Sequence, residues 1–110
     1  MDWKEWLKKL RLIDMQILSN PEQVGFVNVK VENTTYVFNL GSKELAEEST
    51  KIHITPESSN AAKEYTEKKL TNNSTELDMM QDSAKKELVV ATTASYLIGT
   101  MKLRKKKDDD

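Results

Sequence analysis

The sequence has no cysteine, only three glycines and two prolines, and a single histidine. Without cysteine, disulfide bonds, thiolate catalysis and cysteine-based zinc sites are excluded. The glycines lie at positions 25, 41 and 99, so they form neither a Gly-x-Gly-x-x-Gly turn nor a P-loop. Nucleotide binding by those two routes is therefore excluded, and we expect no cofactor.

Candidate catalytic groups are also few. The single histidine, His53, is predicted on the polar side of a short strand, and no Gly-x-Ser-x-Gly motif or ordered Ser/His/Asp set accompanies it. Carboxylates cluster over residues 44–48 and 76–82, but they lie among lysines and lack calcium-loop spacing. We interpret these clusters as solvated helix faces. The sequence thus predicts neither a metal site nor an enzyme.

The balance of charged and apolar residues favours a folded protein. Charged residues make up 32% of the 110 residues and apolar residues 37%, with a net charge of −1. Residues 42–87 are acidic on balance, whereas residues 102–107 are basic. We expect a single domain over residues 1–103 and a disordered, charged tail over residues 104–110. No apolar signal segment follows Met1, and the expected location is the cytoplasm.

Residues 2–18 are predicted to form an amphipathic helix, because apolar side chains recur there every three or four positions. Ser19-Asn20-Pro21 would end this helix, since the residue before a proline disfavours helical backbone. One apolar stripe would then face the rest of the protein, formed by Trp3, Trp6, Leu7, Leu10, Ile13 and Ile17.

Residues 24–40 are predicted to form a β-hairpin. With Asn33-Thr34 as a two-residue loop, Val29 faces Phe38, and every second residue shares one face. Asn-Thr is weaker turn chemistry than Asn-Gly, so a longer loop with the same alternation is an alternative. The apolar face would comprise Val27, Val29, Val31, Tyr36, Phe38 and Leu40.

Three elements are predicted between residues 42 and 70. Ser42 and Thr55 favour helix starts as N-terminal caps, and Ile52 and Ile54 alternate with polar residues as in a strand. The elements are a helix over 43–49, a strand over 51–55 and a helix over 57–70. The predicted fold class is therefore α+β, with a small antiparallel sheet, made of the hairpin plus a third strand, covered by the N-terminal helix and a long C-terminal helix.

The last predicted helix is unusually long. No proline follows Pro56, and Gly99 is the only glycine after Gly41, so a helix from 75 to 103 would span about 43 Å. A compact domain of about 100 residues has a radius of gyration of only about 13 Å. We expect this helix to project from the domain, to break or to meet a partner.

Residues 88–101 carry no charge and form the sharpest pattern in the chain. The segment is shorter than the ~20 residues of a membrane span, and its β-branched residues make a strand the minor alternative. Ala91, Ser95 and Gly99 recur at every fourth position, which lets two helices approach closely. We predict a non-catalytic interaction or assembly protein that binds itself, as a homodimer or higher, or binds another protein. The predicted interface comprises Ala91, Ala94, Ser95, Ile98, Gly99 and Met101.

A second hypothesis is a peripheral membrane or nucleic-acid adaptor. Trp3 and Trp6 lie among lysines, as in helices of membrane interfaces, although the same pattern occurs in helices that cover a sheet. A basic cluster could contact nucleic-acid phosphates or anionic lipids, or stabilise a helix C-terminus. It comprises Lys102, Arg104, Lys105, Lys106 and Lys107. A third hypothesis is an inhibitor whose acidic residues 44–87 dock on a basic partner.

Overall fold

The computed structural model describes the backbone of residues 2–108 and the side chains of residues 2–100. A three-stranded antiparallel sheet in the order β1-β2-β3 is combined with helices, which confirms the predicted α+β class. A 3-10 turn over Leu12–Asp14 precedes the sheet. The elements are α1 (Trp3–Lys9), β1 (Gln16–Ser19), β2 (Phe26–Val31), β3 (Thr34–Asn39), α2 (Lys43–Ser49), α3 (Pro56–Thr71), α4 (Ser74–Asp78) and α5 (Asp82–Asp108).

The N-terminal segment differs from its prediction. The helix expected over residues 2–18 ends at Lys9, because Leu10 has extended backbone with φ −66° and ψ 128°. Residues Gln16–Ser19 then pair with β2 as the third strand of the sheet. The strand expected over residues 51–55 is wrong, since that segment forms no strand. Ile54 is buried there although it pairs with no other strand. The alternation of Ile52 and Ile54 with polar residues therefore indicated which side chain is buried, and not a β-strand.

The hairpin is confirmed, but its loop lies one residue earlier than predicted. Val31 pairs with Thr34, which leaves Glu32-Asn33 as the loop and places Val29 opposite Tyr36. Because side chains alternate with a period of two, this two-residue shift of register leaves the same residues on the inner face. The three valines of β2 are buried there, and three residues of β3 and its end are partly buried: Tyr36, Phe38 and Leu40.

The two predicted helix starts after the sheet are confirmed. The Ser42 side-chain oxygen accepts a hydrogen bond of 3.0 Å from the Leu45 amide, which caps α2. At α3, Thr55 Oγ1 accepts from the Ser58 amide at 3.0 Å, and Ser58 Oγ accepts from the Thr55 amide at 2.9 Å. This reciprocal pair is a capping box, and Pro56 occupies the first turn of the helix.

The predicted long helix is broken. Residues 79–81 separate α4 from α5, and the remaining helix of 27 residues is about 40 Å long. In an unbroken helix, Leu77 would lie about five full turns before Ser95 and therefore on the same face. Leu77 is buried and Ser95 is exposed, so the chain has to turn between them. The strand alternative for residues 88–101 is wrong, because they are helical.

The predicted disordered tail stays a prediction. The backbone of residues 104–108 continues α5, whereas the side chains of residues 101–108 and all of residues 109–110 lie outside the described part of the chain.

The core lies between one face of the sheet and the helices. On the sheet side, the core contains three valines of β2: Val27, Val29 and Val31. On the helix side, it contains Val89 and Val90 of α5, which are equally buried. α1 closes one side with Trp3 and Leu7, and α3 lies along α5. The opposite face of the sheet is open, since Leu18 and Val37 are 46% and 51% exposed. This layering exposes the outer side of α5, the open sheet face and the β3 edge.

Candidate interaction surfaces

The predicted interface on α5 divides into a buried part and an outward part. Ala94 and Ile98 are 3% and 9% exposed and therefore face the core. Ser95 is exposed, and Ala91 and Gly99 are half-buried. We call Ala91, Ser95 and Gly99 the outer line of α5. The side chain of Met101, the sixth predicted residue, lies outside the described residues.

The outer line has open space beside Gly99. A Cβ atom added at Gly99 would meet no heavy atom within 4 Å, so no internal contact requires glycine there. Beside the line, Thr92 Oγ1 donates a hydrogen bond of 2.8 Å to the Leu88 carbonyl. Its hydroxyl is therefore satisfied inside the helix, and covering this surface would leave it bonded. The result is an uncharged surface on which the exposed Ser95 hydroxyl is the polar group of the outer line that a partner would cover.

The two tryptophans of the second hypothesis have different environments. Trp3 is 3% exposed and packs in the core, whereas Trp6 is half-buried. The Lys86 ammonium lies 5.6 Å from the Trp6 ring centre, and that of Lys4 lies 5.8 Å from Trp3. Trp6 alone of the pair keeps surface that a membrane or ligand could reach.

The structure places Trp6 in a cleft that sequence reasoning missed. The cleft has a volume of about 270 Å³ and lies between α1, the hairpin loop and the start of α5. Lys85 Nζ lies 3.7 Å from Asp82, and Lys86 stacks on Trp6, so both cations already have partners. Two carboxylates offset two ammonium groups, and the cleft therefore favours neither anions nor cations. It is lined by Trp3, Trp6, Glu32, Asp82, Lys85 and Lys86.

The basic cluster of the second hypothesis lies at the end of α5. The backbone of residues 102–107 is helical. The side chains of Lys102, Arg104, Lys105, Lys106 and Lys107 lie outside the described residues.

The free edge of β3 is a second surface that the sequence did not indicate, because strand order cannot be read from one hairpin. The Leu40 amide donates to the Gly25 carbonyl at 2.8 Å, so the even-numbered residues of this strand bond toward β2. The odd-numbered residues Thr35, Val37 and Asn39 therefore direct their backbone N–H and C=O groups to the free edge. Among the described residues, no other element bonds to these groups.

Two aromatic rings accompany this edge on the inner face. Tyr36 and Phe38 stack with ring centres 6.4 Å apart and planes 9° apart, and both are only partly buried. Burial raises the pKa of the Tyr36 hydroxyl above its usual 10.0, and the carboxylates of Glu32 and Glu87 raise it further. A hydrogen bond with Thr34 acts in the opposite direction. Since the inward apolar residues of β1 and β2 are buried and those of β3 are only partly buried, the helices cover β1 and β2 more fully than β3.

The chain matches no protein-family model, no curated protein and no solved structure. Of the helices in the described part, none is long and apolar enough to cross a bilayer. Residues 2–100 also hold no group of three or more histidine or acidic side chains placed to bind a metal ion.

Proposed function

We propose that this chain is a non-catalytic protein–protein interaction protein of the cytoplasm that associates with itself through the outer line of α5. The observation that carries the proposal is the outward position of Ala91, Ser95 and Gly99 on a helix that has no charge over residues 88–101. In a chain with 32% charged residues, a solvent-facing helix surface of this length without charge is unusual.

The geometry suits a helix from a second copy. Small side chains at every fourth position let two helix backbones approach closely, so that many atom pairs contribute dispersion energy. The same surface contains no ion that would lose its hydration. Symmetric pairing is the simplest assembly, because a two-fold axis through Ser95 would bring each outer line onto the other.

The experiment that tests this proposal is sedimentation equilibrium with two arginine variants of α5. Ser95→Arg places a long charged side chain in the middle of the outer line, and we expect it to weaken self-association by about tenfold or more. Ser83→Arg is the matched control, since Ser83 is also exposed on α5 but lies in its acidic first turn. Arginine is a good helix former, so neither change should unfold the helix. A strictly monomeric wild-type protein would refute the proposal.

A second candidate function is the adaptor that binds nucleic acid or an anionic membrane. The observation in its favour is that the α5 backbone continues through residues 102–107, six positions that carry five basic residues. Binding of DNA or of anionic vesicles that falls steeply with salt, and is lost on removal of residues 102–110, would support it. Equal binding at low and high salt would refute it.

A further inference from the structure

The free edge of β3 lacks several features that usually prevent strand pairing. Edge strands are commonly protected by lysine, proline, bulges or a covering helix. Residues 33–42 contain no charged residue and no proline. The ladder with β2 runs from Val31 and Thr34 to Phe26 and Asn39 without a bulge. Thr35, Val37 and Asn39 therefore present a regular row of backbone donors and acceptors to solvent.

The inner face at this edge is also incomplete. Tyr36 and Phe38 are the inward residues of β3, yet both keep exposed surface beside their stacking contact. An additional strand along β3 would place side chains directly opposite these rings. Aromatic pairs across neighbouring strands stabilise a sheet. The edge therefore offers hydrogen bonds and an apolar contact to the same occupant.

We propose that this occupant is β3 of a second copy, paired antiparallel about a two-fold axis at Val37 to form a six-stranded sheet. This register pairs Val37 with itself and Thr35 with Asn39, and so uses all three residues that face the edge. Three such pairs exchange roughly six backbone hydrogen bonds. Between them, Tyr36 of each copy lies opposite Phe38 of the other, and four rings come together on the inner face.

The charges next to the strand agree with antiparallel self-pairing. Glu32 precedes β3 and Lys43 follows it, with no charge between them. Antiparallel pairing brings the end that carries Glu32 beside Lys43 of the second copy, at both ends of the interface. A parallel arrangement would instead bring like charges together. Charge complementarity thus selects the same arrangement as the hydrogen-bond row.

This contact goes beyond the proposed function, because it uses a surface separate from the outer line of α5. Each of the two contacts is symmetric, so a protein that uses both forms assemblies larger than a dimer. Loss of the α5 contact alone should therefore leave a dimer joined by β3.

The absence of cysteine permits a site-specific test in the full chain. Val37→Cys places a thiol on the proposed two-fold axis, where the two Cα atoms would lie about 5.5 Å apart, within the range of a disulfide. Under mild oxidation at low protein concentration, we expect Val37→Cys to form a covalent dimer about tenfold faster than a control, because only a paired thiol has this geometry. The matched control is Leu18→Cys, which is similarly exposed on the same sheet face but lies on β1.

Two further variants fix the register and separate this proposal from the previous one. Thr35→Cys faces Asn39 of the second copy and should cross-link slowly alone, but quickly when mixed with Asn39→Cys. Val37→Cys should cross-link equally well when combined with Ser95→Arg, since that change removes only the α5 contact. If Val37→Cys cross-links no faster than Leu18→Cys, or if Ser95→Arg abolishes the cross-link, pairing through β3 is refuted. Rapid cross-linking of Thr35→Cys alone would refute the register.

Discussion

The hydroxyl oxygens of Thr66 in α3 and Thr93 in α5 lie 2.8 Å apart, and both residues are fully buried. Thr93 Oγ1 also donates to the Val89 carbonyl at 2.8 Å, which uses its single hydrogen. Thr66 must therefore be the donor to Thr93. Because of this direction, removing one hydroxyl does not have the same effect as removing the other. Thr66 has no acceptor without Thr93, whereas Thr93 keeps its bond to Val89 without Thr66.

We predict that Thr93→Val destabilises the protein more than Thr66→Val. Without the Thr93 hydroxyl, the buried Thr66 donor has no partner, at a cost of about 1–3 kcal/mol in the free energy of unfolding. Without the Thr66 hydroxyl, Thr93 still donates to Val89, and the cost should be about 0.5–1.5 kcal/mol. Urea denaturation of both variants measures the difference.

The double variant tests the same assignment. Thr66→Val with Thr93→Val leaves no orphaned hydroxyl, so it should cost less than the sum of the single changes. Thr92→Val is the control, since Thr92 bonds only to Leu88 within α5 and is less buried. Additive costs, or a larger cost for Thr66→Val, would contradict the donor assignment.

A second prediction concerns the hairpin loop. Glu32 has φ +55°, the one positive φ at a non-glycine residue in the described chain. Left-handed backbone costs an L-residue about 1–2 kcal/mol, whereas glycine adopts it freely. We expect Glu32→Gly to raise the free energy of unfolding by about 0.5–1 kcal/mol, measured by urea denaturation.

Asn33→Gly is the matched control for the loop. Asn33 has no positive φ, so glycine there relieves no strain and only loosens the unfolded chain. This variant should be no more stable than the wild type. A stabilising Asn33→Gly with a neutral Glu32→Gly would show that the strain lies at the other loop residue.

Local signals in the sequence were sufficient for the helix starts and the hairpin face. Ser42, Thr55 and Pro56 act through neighbours within three residues, and the face of the hairpin depends only on alternation. The exact loop escaped because a shift of two residues preserves that alternation. These features do not depend on the rest of the fold.

Other features are decided by distant parts of the chain. Ile13 continues the apolar spacing of α1, yet it is 49% exposed, because the helix ends at Lys9 and the chain turns so that Gln16–Ser19 pair with β2. Likewise, the helix breaks at residues 79–81 although they include no glycine or proline. The break allows Leu77 to be buried. For the same reason, the interface predicted on α5 did not separate the residues that face the core from those that face outward. The β3 edge was not visible until strand order was known.

A third prediction concerns the ionisation of Tyr36. Its pKa is raised, first by burial and then by the carboxylates of Glu32 and Glu87. Glu87→Gln removes one negative charge and should lower the pKa of Tyr36, whereas the effect of burial remains. Ultraviolet titration of tyrosinate, with Tyr36→Phe to identify the signal, measures the change. Glu57→Gln at the start of α3 is the control, and an equal shift there would contradict the assignment to Glu87.

The sign of the pH dependence follows from the same shift. The folded state holds the Tyr36 proton to higher pH than the unfolded state does, so this group contributes stability below pH 10.0 and loses it as pH rises through the folded pKa. Tyr36→Phe should therefore lose less stability than the wild type as pH rises above 10.0. Near neutral pH, the dependence of its stability on pH should be the same as that of the wild type. An unchanged alkaline profile would contradict the raised pKa.

The last prediction is that one substitution at Gly99 changes folding stability and self-association in opposite directions. Glycine inside a helix costs about 0.5–1 kcal/mol relative to alanine, and a Cβ atom at this position meets nothing within 4 Å. Gly99→Ala should therefore raise the free energy of unfolding of the monomer by about that amount. If a second α5 approaches the outer line closely, the same methyl group should weaken association, as measured by sedimentation equilibrium. Ala84→Gly, also half-buried on α5, is the control that should lower stability without changing association. Opposite signs in one variant cannot arise from general destabilisation, so a Gly99→Ala protein that is both more stable and equally associated would contradict the proposed contact.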